Sequence, residues 1–156
     1  MKTELIVMGK TDNPHFIAGI EDYVRRICHY VPFNITVIPE LKNNKNRGEE
    51  QQKVQEGQLI LKKIEAADTV VLLDEHGKEF RSVELASWME KKQQSVRKLV
   101  FVIGGPYGFS PEVYARANEK ISLSKLTFSH QMVRLIFVEQ LYRACTILKG
   151  EPYHHE

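Results

Sequence analysis

Two stretches of this chain hold residues arranged for chemistry. The first is VFVIGGPYGF, residues 100–109, where four apolar residues run into Gly104, Gly105, Pro106, an aromatic and Gly108. A hydrophobic strand emptying into glycines lets a flat ligand approach backbone amides and carbonyls closely. A dinucleotide fingerprint needs glycine at i, i+2 and i+5. Here that register falls on Ile103, Gly105 and Gly108, so the first glycine is missing. Pro106 also removes an N–H where a pyrophosphate needs donors. The stretch suits a ligand with an adenine ring and no pyrophosphate, or else a tight turn with no ligand.

The second stretch is the tail EPYHHE, residues 151–156. Tyr153, His154 and His155 are residue types that stack on a base and move protons. The bland alternative is a frayed terminus. No metal site is expected. Adjacent histidines do not readily ligate one ion, and no Cys or third His has fitting spacing. Arg134 and Arg143 precede the tail in an apolar helix, where each either bridges to a neighbouring carboxylate or meets phosphate or a base edge. Lys42, Lys45 and Arg47 could meet phosphate or simply form a solvated loop. Cys28 and Cys145 make no C-x-x-C and read as small buried hydrophobes.

The elements that must position these residues alternate along the chain. ELIVMG (4–9) and FNITVIPE (33–40) read as strands, with a helix between them capped by Asp12 or Asn13 and led by Pro14. Residues 41–55 are polar and read as a loop entering a helix that turns apolar at Leu59. TVVLLDE (69–75) is a buried strand, and HGK (76–78) is expected to turn the chain. SVELASWMEKKQ (82–93) is a Ser-capped helix, KLVFVIGG (98–105) a strand and SPEVYARANEK (110–120) a helix. ISLSKLTFSH (121–130) is a short strand and loop, with His130 as a helix cap or a minor candidate base. A long helix follows, from about 131 to 149, closed by Gly150. Its apolar arc holds Val133, Phe137, Leu141 and Cys145 and encloses Arg134 and Gln140. Glu139, Arg143 and Thr146 fall on the other side, and a second subunit is expected to cover part of the helix. Strand–helix alternation predicts an α/β fold with a mostly parallel sheet flanked by helices. Ligands then sit beyond the strand ends, in the loops after Leu73, Ile103 and Leu123.

Composition bounds the reading. The chain's 156 residues fit one domain, 1–156. Apolar content is 42% and charged content 27%, as in ordinary globular proteins. No run is long and apolar enough to span a bilayer, and the N-terminus lacks a signal-peptide pattern, so a cytoplasmic protein is expected. A net charge of +2 neither demands nor excludes a nucleic-acid partner.

Four segments together resemble a known family: VVLLDEHGKEFRSVELA, FVIGGPYGFSPEV, ISLSKLTFSHQMVRLIFVEQLYRA and GEPYHHE. The set is similar to RlmH, the small SPOUT-class methyltransferases of the bacterial large ribosomal subunit, over essentially the whole chain. The resemblance implies a SPOUT-type sheet with a C-terminal deep trefoil knot, a rare exception to unthreaded connections. It implies a homodimer that binds S-adenosylmethionine and methylates N3 of pseudouridine 1915 in 23S rRNA of the assembled ribosome. The family's cofactor positions match Leu73, Gly104, Leu123, Ser124, Lys125, Leu126, Thr127 and Phe128, with Gly105 and Gly108 shaping the same wall. Proximity and loss of the N3 proton are the two chemical needs. The expected groups are His154 as base, Arg143 as stabiliser of the developing oxyanion and Tyr153 as a stacking or hydrogen-bonding partner, with His130 and Glu139 behind them. Rival readings are a SPOUT enzyme acting on tRNA and a non-catalytic ribosome assembly factor.

Overall fold

The computed structural model describes residues 1–41 and 47–156. Lys42 and Lys45 therefore lie outside the described residues, while Arg47 is half-buried ahead of the second helix. Five strands, β1 (Lys2–Met8), β2 (Phe33–Ile38), β3 (Thr69–Glu79), β4 (Lys98–Ile103) and β5 (Glu119–Ser122), form one sheet. Its order is β2-β1-β4-β3-β5, and every pairing is parallel. The helices are α1 (Pro14–Ile27), α2 (Glu49–Lys62), α3 (Ser82–Ser95), α4 (Pro111–Arg116) and α5 (Met132–Leu148).

Alternation along the strands sorts the core into two layers. Leu5, Val7, Val71, Leu99 and Phe101 face α1, α3 and α5. Ile6, Met8, Val70, Leu72, Val100 and Val102 face α2 and α4. Both faces are covered, so β4 reads as an unbroken apolar run. Phe101 and Phe137 join sheet to α5 with ring centroids 4.8 Å apart.

Local signals explain most boundaries. Asn13 caps α1 by accepting from the His15 N–H at 2.9 Å, with Pro14 in the first turn. Ser110 caps α4 by accepting from the Val113 N–H at 3.3 Å. Gly150, at φ +68°, follows α5.

Five sequence expectations need correction. The HGK segment does not turn the chain; β3 runs through it to Glu79, and its register against β5 slips between Leu73 and Lys78. Gly77 permits this, because a Cβ there would stand 2.7 Å from the Ile121 backbone. Ser82 is the first helical residue of α3 and not its cap; the Glu84 carboxylate accepts from the Arg81 N–H at 2.7 Å instead. The fourth helix ends at Arg116, because Asn118 ties the chain to β3 by two bonds to the Val70 backbone, each 2.8 Å. Cys28 is exposed, since it lies just past the end of α1, whereas Cys145 is buried. Thr146 is fully buried, not on an open face: the Glu151 N–H donates to its carbonyl at 3.0 Å as the tail folds back. α1 and α3 flank α5 on the sheet.

Candidate active site

Parallel strands place all their carboxyl ends on one side. There the irregular stretch of β3 from Leu73 to His76 and the segments after β4 and β5 meet around a cleft of about 710 Å³, so the loop expected after Leu73 is part of the strand itself. Leu73, Gly104, Gly105, Gly108, Leu123, Ser124, Leu126, Thr127 and Phe128 line it together. Lys125 does not line it; it turns outward and pairs with Glu79 at 3.8 Å.

The glycine loop is built close. The Gly108 N–H donates to the Gly105 carbonyl at 3.2 Å, and Gly108 adopts φ +83°. A Cβ on Gly104 would stand 3.0 Å from the Phe109 ring. On the facing loop, Ser122 Oγ donates to the Ser124 carbonyl and the Leu126 N–H to Ser124 Oγ, both at 2.9 Å. That turn leaves the Leu126 side chain 74% exposed at the mouth.

The rim carries residues that sequence reasoning missed. Glu49 and Lys53 come from α2, and Asp74, Glu75 and His76 from β3. Tyr114 donates its hydroxyl to the Asp74 carboxylate. Burial and that bond push the phenol up to about 12. The only sequence signal for Asp74 was its place one residue past Leu73, at a strand-end loop. His130 stands exposed at the cleft edge and is not the helix cap; Ser129 Oγ accepts from the Met132 N–H at 3.1 Å.

The tail forms a second constellation. Tyr153 donates to Glu139 at 3.0 Å and shares a bond with the Tyr23 hydroxyl at 3.1 Å. Arg143 pairs with Glu139, stacks 4.8 Å from the Tyr153 ring centroid and reaches His154 Nδ1 at 3.2 Å. Burial, Tyr23 and Glu139 together hold the Tyr153 phenol well above its ordinary range. A guanidinium cannot accept a hydrogen bond, so His154 Nδ1 accepts from Arg143 and Nε2 holds the ring proton. Nε2 is buried and has no partner. Glu151 and Glu156 tie the tail down further, accepting from Tyr30 at 2.6 Å and Arg81 at 3.0 Å.

The structure thus joins His154, Arg143 and Tyr153 to each other but not to the cleft. Val133 lines the cleft on the same helix that carries Arg143. The two stand ten positions apart on the helix, a rise of about 15 Å. Arg134 serves neither reading given above. It is 2% exposed and donates to the Met8 and Gly9 carbonyls at 2.8 and 2.9 Å and to Thr11 Oγ1 at 2.9 Å, clamping the end of β1 to α5.

A family model described as "Predicted SPOUT methyltransferase" matches residues 1–154. The chain belongs to the SPOUT methyltransferase family. Relatives share its full length. Proteins of Phocaeicola vulgatus and Bacteroides fragilis, each named "Ribosomal RNA large subunit methyltransferase H", are 64% identical over 157 residues, covering 100% of both chains. The protein of that name in Flavobacterium johnsoniae is 55% identical over the same span. This SPOUT chain is accordingly a member of the RlmH group and a transferase, and its methyl donor is S-adenosylmethionine. Among the described residues, no cluster of three His, Cys, Asp or Glu is placed to hold a metal, and no helix is long and apolar enough to cross a membrane.

Proposed function

We propose that this chain is a cytoplasmic homodimer that methylates N3 of pseudouridine 1915 in 23S rRNA within the assembled ribosome. The observation that carries the reading is the convergence of the irregular stretch of β3 and the loops after β4 and β5 on one cleft. Its volume of about 710 Å³ falls within the range of small-molecule sites. The residues present fit the donor. A Cβ on Gly104 or Gly105 would strike Phe109 or Glu56, so those backbones are bare by construction. Leu73, Leu126 and Phe128 offer apolar walls to a ring, while Asp74, Glu75 and Glu49 suit a cation. Leu73, Gly104, Gly105, Gly108, Leu123, Ser124, Leu126, Thr127 and Phe128 would hold it. Lys125 keeps its main chain in that loop and sends its side chain outward.

The bound donor supplies an activated methyl on a positive sulfonium. The chain must bring N3 to that methyl and help remove its proton. Arg143 offers positive charge to the oxygens beside N3, Tyr153 a stacking face, and His154 a ring that moves protons. For His154 to take a proton on Nε2, it must change tautomer and surrender the bond from Arg143. The tail therefore rearranges when RNA arrives, and the distance along α5 is bridged by that movement or by the second subunit. The trefoil knot belongs to the same reading. It is supported by the match to the SPOUT family over residues 1–154.

The test is transfer of labelled methyl from S-adenosylmethionine to purified ribosomes, separated subunits, free rRNA and tRNA, with the product nucleoside identified. Label in N3-methylpseudouridine from ribosomes is expected. Label confined to tRNA, or donor binding without transfer to any substrate, overturns the reading.

A further inference from the structure

Glu56 is a buried ionisable group that the mechanism leaves unused and that lies beside the cleft. It sits on α2, is only 5% exposed, and its Oε1 has no hydrogen-bond partner. Carboxylates are almost never buried this far unpaired. Gln52, one turn earlier on the same buried stripe, draws its pKa down. Its place is fixed by the next residue: a Cβ on Gly57 would stand 2.4 Å from Ser110 Oγ. That close approach locks α2 onto the segment after β4. The carboxylate then lies against Gly105, where a Cβ would be 2.6 Å from both of its oxygens.

Gly105 is also a wall of the cleft, and Glu56 is not. One glycine backbone thus separates a buried carboxylate from the ligand space. The other titratable groups that act on it are Glu40, beyond β2, and His130, at the cleft edge. Burial and Glu40 push the carboxyl up from its ordinary range, while His130 pulls it down. A cation on the far side of Gly105 would act as His130 does, with little solvent between to screen it.

We infer that Glu56 is a specificity-determining residue that makes this cleft prefer a cationic ligand over its neutral counterpart. The inference rests on the reading of the cleft as the methyl-donor site. In the reaction, the S–CH₃ bond breaks, its electron pair returns to sulfur, N3 gains the methyl and loses its proton. The donor's sulfonium becomes a neutral thioether, and the rest of that molecule keeps its charge. Glu56 therefore favours the loaded donor over the spent product and eases exchange of one for the other.

Titration calorimetry of the full chain with S-adenosylmethionine and S-adenosylhomocysteine tests this. Glu56→Gln keeps the shape and removes the charge. It is expected to weaken the methylated donor about tenfold and the homocysteine product less than twofold. Equal weakening of both ligands would reduce Glu56 to support for the loop and overturn the inference, as would no change in either. Glu56→Met removes the charge a second way if the glutamine variant fails to melt cooperatively. Wild-type protein that binds neither ligand would instead overturn the reading of the cleft.

Discussion

The cleft and the tail cluster are made of different material. Beneath its charged rim the cleft is glycine backbone and apolar wall, set between the irregular stretch of β3 and the ends of β4 and β5. The tail cluster is side chains bonded to side chains: Tyr153 to Glu139 and Tyr23, Arg143 to Glu139 and His154. Each such bond contributes about 1–3 kcal/mol net. A pocket of backbone is ready before its ligand comes, whereas a network of exchangeable bonds can be redrawn when a new partner offers equivalent ones. On the proposed function this difference divides the labour: the cleft would hold the donor, and the tail would handle the acceptor.

The sharpest way to break that division is to remove one side. Deleting residues 151–156 is expected to abolish methyl transfer while leaving S-adenosylmethionine affinity within about twofold, since the tail touches α1, α5 and Arg81 ahead of α3 and not the cleft. Full activity in the truncated chain would take the tail out of the mechanism, and lost affinity would merge the two regions. Gly105→Val is the converse. Its side chain must displace the buried Glu56 carboxylate, so donor affinity should fall by about a hundredfold or more with a cooperative melt retained. Calorimetry giving wild-type affinity would contradict it.

Smaller changes sharpen the contrast. Tyr153→Phe loses the bonds to Glu139 and Tyr23, and should cost about 2–3 kcal/mol in denaturant unfolding and slow transfer, with donor affinity untouched. The least effect is expected at the cleft rim. There the Tyr114 phenol is raised to about 12 from its ordinary 10.0 by burial and Asp74. The folded chain holds that proton more tightly than the unfolded one. Its contribution to stability is thus present below pH 10.0 and lost as the pH rises toward about 12. In Tyr114→Phe the fall in melting temperature across that interval should be shallower, and an unchanged slope would show that Tyr114 does not contribute.

Much of this was legible in residue order. Runs such as TVVLLDE and KLVFVIGG read as covered strands because both faces of a parallel sheet exclude water. Less was legible where a polar residue is buried by a neighbour distant in sequence. Gln52 lies in the polar stretch 41–55 and Glu56 just past it, before the helix turns apolar, yet with Ile60 they make the buried stripe of α2 at intervals of four. Arg134 looks like an ion-pair or phosphate residue and instead satisfies carbonyls at the end of β1. HGK reads as a turn, but Gly77 serves a close crossing of strands.

By itself the sequence determined the alternating elements, the strand-end loops that could carry a ligand, and the resemblance that named the chemistry. Apolar period, caps and glycines are local signals, and they act before the chain has closed on itself. Tertiary structure decided what meets what. It placed Lys125 outside the cleft, Glu56 behind it, and His154 against Arg143 and away from the strand ends. Those outcomes depend on helix packing and strand order, which bring together residues that no interval in the sequence relates.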